Sequence, residues 1–233
     1  MSWQLGSTAL VVAALVVALA WYERGRPSSK LVAVVAALAA IAVAGRVVLS
    51  PIPNVQATTD VVLLSGYALG GGPGFAVGAI AALASNFFLG QGPWTPWEML
   101  GWGGAGLAGA ALARLGVPAR RAPIAVACAL AGLAFGAWMD LFTLVNFAAE
   151  RSGDSYLAIS AASLPFNIAH AIGNLLLALA VGPAFVRMLA RHRSRFEIRW
   201  RPAPAALVLA LALVLSPAFA DRADAAGKRA ALR

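Results

Sequence analysis

The sequence predicts an all-α, polytopic membrane bundle: a six-helix core with an additional span at each end. Three observations predict it. Of 233 residues, 61% are hydrophobic and only 12% charged, whereas a water-soluble domain carries about a quarter charged residues. Several nearly uncharged windows of about 18–20 residues are each long enough to cross a bilayer's hydrocarbon core. The basic residues fall in short clusters between apolar runs, the pattern that orients membrane helices. A net charge of +9 therefore speaks for topology rather than for nucleic acid, and no stretch is left for a separate soluble domain. The chain divides into an N-terminal span with a basic loop (1–29), a core (30–191), and a basic linker with a last apolar segment and tail (192–233).

Taken in order, the first span covers 7–21. No Lys or Arg precedes it, and Glu23, Arg24, Arg26 and Lys30 follow it. That is the reverse of a secretory signal, so the N-terminus is expected outside. The second span, 30–49, carries Ala33, Ala36, Ala37, Ala40 and Ala44 in overlapping Ala-x-x-x-Ala rows, a surface shaped for another helix. Pro51 and Pro53 exclude a helix in the loop that follows, which runs to 59. The third span, 60–69, is short and ends at Gly70-Gly71-Gly72-Pro73-Gly74, and the fourth covers 75–89. Gly90 and Gly92, with Pro93 and Pro96, make a tight link to the fifth span, 97–115. The sixth runs over 123–147 and the seventh over 158–188. Loops 22–30, 114–121 and 187–201 hold 12 of the 18 Lys and Arg residues, and an eight-span chain puts all three in the cytoplasm. The eighth run, 205–215, ends in Ala218-x-Ala220 and also reads as an internal signal-like segment.

Candidate functional residues are the polar and aromatic ones in or beside the apolar runs. Trp94, Trp97 and Trp102 suit either an interfacial anchor or an aromatic lip over a pocket, with Asn86, Gln91 and Glu98 supplying polar contacts. Asn167, His170 and Asn174 stand at i, i+3 and i+7 on one helical face, extended by Ser163 and Ala171. Helix pairing and ligand binding both account for that stripe. Asp140 is expected either in a buried pair with Thr143, His170 or Arg46, or in the binding site. Arg46 is expected to snorkel from the outer end of the second span. Cys128 is the lone cysteine and there are two histidines, so neither a disulfide framework nor a protein-built metal site is expected. No nucleophile elbow, zinc-protease motif, phosphate-cradling loop or close carboxylate pair occurs. A membrane-embedded enzyme using Asp140 and His170 as acid and base is the competing reading.

Two loops carry a resemblance. Ser50-Pro51-Ile52-Pro53-Asn54-Val55-Gln56 and Gly90-Gln91-Gly92-Pro93-Trp94-Thr95-Pro96-Trp97 resemble the substrate-binding (S) component of energy-coupling factor (ECF) vitamin transporters, over roughly 30–191. The resemblance implies a six-helix protein of the cell membrane that captures a vitamin from outside. It would pair with a coupling transmembrane protein and two cytoplasmic ATPases, and would lack a cofactor and catalysis of its own. Ala33–Ala44 would meet the coupling protein, and the loop with Asn54 and Gln56 would cover the pocket. The form of the second loop is most similar to a branch linked to cobalamin or its precursors, with riboflavin-like ligands as an alternative. Asn86, Gln91, Trp94, Trp97, Trp102, Asp140, Asn167, His170 and Asn174 would line the site.

Overall fold

The computed structural model describes residues 3–193, which form seven helices and no strand. They are α1 (Trp3–Arg24), α2 (Ser29–Leu49), α3 (Ala57–Leu69), α4 (Gly71–Leu89), α5 (Thr95–Arg114), α6 (Arg121–Phe147) and α7 (Gly153–Arg193). The extra N-terminal helix and the six core helices are thus all present. The run over 205–215 lies outside the described residues. Five helices (α1, α2, α4, α6 and α7) are long and apolar enough to cross a membrane.

The two that are not among them stand at the centre. Ten of the 13 residues of α3 are buried, and it packs against α2, α4, α5, α6 and α7. α5 carries Glu98 and several glycines and is covered by α4, α3, α6 and α1. A helix wrapped in protein needs no lipid-facing side, so neither short length nor a buried polar residue disqualifies it. The outer helices face lipid instead: Leu164, Phe166, Ile172 and Leu176 of α7 and Val126 and Leu130 of α6 are exposed.

Local rules set the boundaries. Ser28 caps α2 by accepting from the Leu31 N–H at 3.2 Å. Gly70 alone separates α3 from α4, at φ 108° and ψ 169°, a conformation open to glycine and not to other residues. The expected five-residue interruption thus shrinks to one, because Pro73 falls in the first turn of α4, where no intrahelical N–H bond is lost. Just beyond that vertex Gly66, Gly74 and Gly106 bring three backbones together, and a Cβ on Gly74 would stand 2.5 Å from the Gly66 Cα. α7 is 41 residues long with Pro165 and Pro183 inside it; at ~1.5 Å per residue it reaches about 60 Å, beyond any bilayer core.

The ends of α2 and α4 and the starts of α3 and α5 gather at one end of the bundle, as shown by the contacts Arg46–Asn86, Arg46–Glu98 and Thr58–Ala42. Loops 50–56 and 90–94 therefore share that end. α1 lies along α4, α5 and α6, burying Ser7, Val11, Ala14, Leu15 and Ala18 on one stripe.

Candidate functional site

Arg46 is the hub of the first polar cluster. It is buried in the last turn of α2 rather than snorkelling. Its Nη1 donates to Ser85 Oγ at 2.6 Å and Asn86 Oδ1 at 2.7 Å, and its Nη2 to Glu98 Oε1 at 2.8 Å. The Asn86 amide donates to Glu98 Oε2 at 2.7 Å and to Thr95 Oγ1 at 2.9 Å. Thr95 in turn donates to Gln91 Oε1 at 2.9 Å, and Gln91 Nε2 to the Leu83 carbonyl at 3.0 Å. Loop 90–94 is thereby stitched to the ends of α2, α4 and α5. An ion pair removed from water survives only when its remaining donors and acceptors are filled, and here both partners use several.

Trp102 joins this cluster to a second. The Arg46 guanidinium sits 4.5 Å above its ring, while its Nε1 donates to Thr59 Oγ1 at 3.0 Å. Thr59 Oγ1 also lies 2.8 Å from His170 Nε2. Phe135 stacks on Trp102 at 4.3 Å and meets His170 edge-on at 5.7 Å. One turn along α7, Asn174 donates to the Cys128 carbonyl at 3.4 Å. Asp60, on the first turn of α3, lies beside the Cys128 thiol.

A third group is nearer the surface. Asp140 accepts from Ser163 Oγ at 2.9 Å and from Asn167 Nδ2 at 3.4 Å, and Asn167 Nδ2 also donates to Ser163 Oγ at 3.0 Å. Gly136 leaves the space into which the Asn167 amide fits. Asn54, at φ 55°, donates to the Phe166 carbonyl at 2.8 Å and ties the 50–56 loop to α7.

The stripe of Ser163, Asn167, His170 and Asn174 thus turns inward as its spacing predicts, toward α6 and α3. Several other expectations need correction. Asp140 pairs with neither Thr143, His170 nor Arg46; Thr143 bonds its own helix at the Met139 carbonyl. Asp140 and His170 each find other partners and form no acid–base couple. Trp97 and Trp102 are 0% exposed and anchor nothing at an interface. Trp97 packs on Trp138 at 4.9 Å, and the Trp138 N–H donates to the Trp97 carbonyl at 2.8 Å. Trp94 is half-buried on the same cluster. Gln56 is half-buried with its Oε1 unpartnered, while Gln91 is exposed.

Thr59, Asp60, Ser85 and Thr95 also belong to these clusters, though the sequence pattern does not single them out. Asp60 alone carried a signal, an ionisable residue at the head of an apolar run. The hydroxyls carried none, because Ser and Thr are common in membrane helices.

The fold and these buried polar clusters define a helical membrane protein. No protein-family model, no curated protein and no solved structure matches the chain.

Proposed function

We propose that this chain is the substrate-specific subunit of an ECF-type vitamin transporter in the cell membrane, with a corrinoid as its best-suited ligand. The observation that carries the reading is the outer face of α2. Ala33, Ala36, Ala37, Ala40 and Ala44 are all exposed, while Leu31, Val35, Leu38, Ala39 and Ala42 of the same helix are buried. Close-packing small residues are thus left unused within the chain and available to a partner helix. Such a partner is the coupling transmembrane protein, energised by two cytoplasmic ATPases.

The ligand side draws on a separate region. Ser163 and Asn167 are only partly buried and hydrogen-bond the buried Asp140, and Asn54 and the 50–56 loop lie beside them. They offer hydrogen bonds near the end of the bundle that the reading places outside. His170 and Asn174 lie deeper on the same stripe. Nanomolar affinity, about −12 kcal/mol, requires enclosing most of a ligand as large as a corrinoid.

Calorimetric titration of the purified protein with cobalamin and cobinamide tests the ligand. Binding that weakens at least about tenfold, ~1.4 kcal/mol, in Asn167→Ala supports it. Absence of heat with both corrinoids removes that assignment and leaves another vitamin open to the same assay. The docking face is tested by Ala37→Trp and Ala40→Trp, which abolish cellular uptake but spare ligand binding by the isolated protein. Parallel loss of both activities would place these alanines outside a docking face.

A further inference from the structure

Five of the nine buried polar atoms without a hydrogen-bond partner among the described residues belong to the N-cap and first turn of α3 and to the middle of α7. They are both carboxylate oxygens of Asp60, Oδ1 of Asn174, Oε1 of Gln56 and Nδ1 of His170. Asp60 is 5% exposed, and His170 and Asn174 are 0% exposed. The fold draws them together. Gln56 is the N-cap of α3, one turn before Asp60, and His170 and Asn174 stand four apart on one face of α7. The Thr59–His170 hydrogen bond clamps the two helices. α6 closes the third side. The Cys128 thiol lies beside the Asp60 carboxyl, and the Cys128 carbonyl accepts from Asn174. A Cβ on Gly132 would stand 2.7 Å from the Asn174 amide nitrogen and 3.2 Å from the His170 ring, so the backbone of α6 lies directly against both.

Four of these five atoms are oxygens that only accept. The cation on α2, Arg46, is already committed to Glu98. The Cys128 thiol is a weak donor. A proton on Asp60 would cancel its charge, yet it would add an O–H donor to a carboxyl that has no oxygen or nitrogen partner. A bound cation answers both needs, neutralising the carboxylate and filling several acceptors. Hard oxygen donors select hard cations over thiophilic metals. One carboxylate balances one positive charge, and in surroundings of low dielectric an unbalanced second charge is strongly disfavoured.

We infer that the first turn of α3, with the middle of α6 and α7, is a binding site for a small monovalent cation. The cation is either a free alkali ion such as Na+ or the protonated amine of a small solute. This site goes beyond the vitamin-subunit reading and stands without it.

The test uses the full chain purified in detergent at constant ionic strength and pH 8. N-methylglucamine chloride is replaced stepwise by NaCl or by methylammonium chloride, and the unfolding temperature is followed by tryptophan fluorescence. The wild-type midpoint rises with the logarithm of the concentration of one of these cations. Asp60→Asn raises the apparent Kd at least tenfold, Gln56→Leu raises it several-fold, and the exposed Glu150→Gln leaves it unchanged. A response to Na+ assigns the site to a free ion, and a response to methylammonium alone assigns it to a solute's amine. A midpoint that stays flat as either cation replaces N-methylglucamine overturns the inference, as does an equal response of wild type and Asp60→Asn. If Asp60→Asn does not fold, the ion specificity of the wild type and the shift in Gln56→Leu decide.

Discussion

Arg46 and Glu98 leave water together, and their energetics follow from what each would face alone. Glu98→Ala strands a guanidinium against Ser85, Asn86 and the face of Trp102. Removing one partner of a buried pair typically costs about 3–5 kcal/mol. Replacing both, as in Arg46→Met with Glu98→Leu, should cost clearly less, since no charge is then left buried. Unfolding of the four proteins in a double-mutant cycle measures this, and additive losses would show that the two side chains are not coupled. Thr59→Val is nearly isosteric yet removes the hydroxyl between Trp102 and His170. It should destabilise by about 1–3 kcal/mol, the cost of an unsatisfied buried donor; full stability in the same unfolding assay would remove Thr59 from the network. At this scale the α7 stripe was legible because 3.6-residue periodicity is local. The Arg46–Glu98 pair was not, since its members lie 52 positions apart on different helices and no spacing rule connects them. The tryptophans misled for a physical reason. An indole is drawn to the interface because its N–H needs a partner, and Trp102 finds that partner inside.

Between elements, backbone proximity decides which substitutions matter. Gly106 sits where α5 crosses α3 and α4, and a Cβ there would collide with the Gly74 backbone; around Gly104 nothing lies within 4 Å. Gly106→Ala should therefore destabilise by at least about 1–3 kcal/mol through overpacking. Gly104→Ala should be neutral, or stabilising by up to about 1 kcal/mol through helix propensity. Thermal unfolding separates the two, and equal midpoints would deny the close three-helix crossing. The seven helices within the described residues were legible from hydropathy, as were the ends of α2, α3, α4 and α6 at Leu49, Leu69, Leu89 and Phe147, while the start of α4 was not. Gly71, Gly72, Pro73 and Gly74 read as a break in sequence, yet they form the first turn of α4. Helix starts tolerate proline, and three glycines of this region serve close packing rather than flexibility.

For the whole molecule, orientation is the property to test. Cysteines placed at Ile52 and Gln91, both exposed and at one end of the bundle, should react with an impermeant maleimide in intact cells. A cysteine at Leu115, 80% exposed at the opposite end, should react only after permeabilisation. The native Cys128 is buried and should stay silent. Labelling of Leu115→Cys in intact cells would invert the topology that the basic loops predict. The seven described helices were accessible to sequence because lipid imposes a length on apolar runs. The order of layers was not, since composition says nothing about which helix lies innermost. That order also bears on how the chain is made. α3 spans ~20 Å at 13 residues, too short for a hydrocarbon core of about 30 Å, and it begins with a carboxylate. As a nascent segment leaving the ribosome it has little reason to enter lipid alone. It must wait at the translocon until α4, one glycine behind it, and then α5 emerge to enclose it. The innermost helix of the finished protein is thus the one that biosynthesis commits to the membrane only in company.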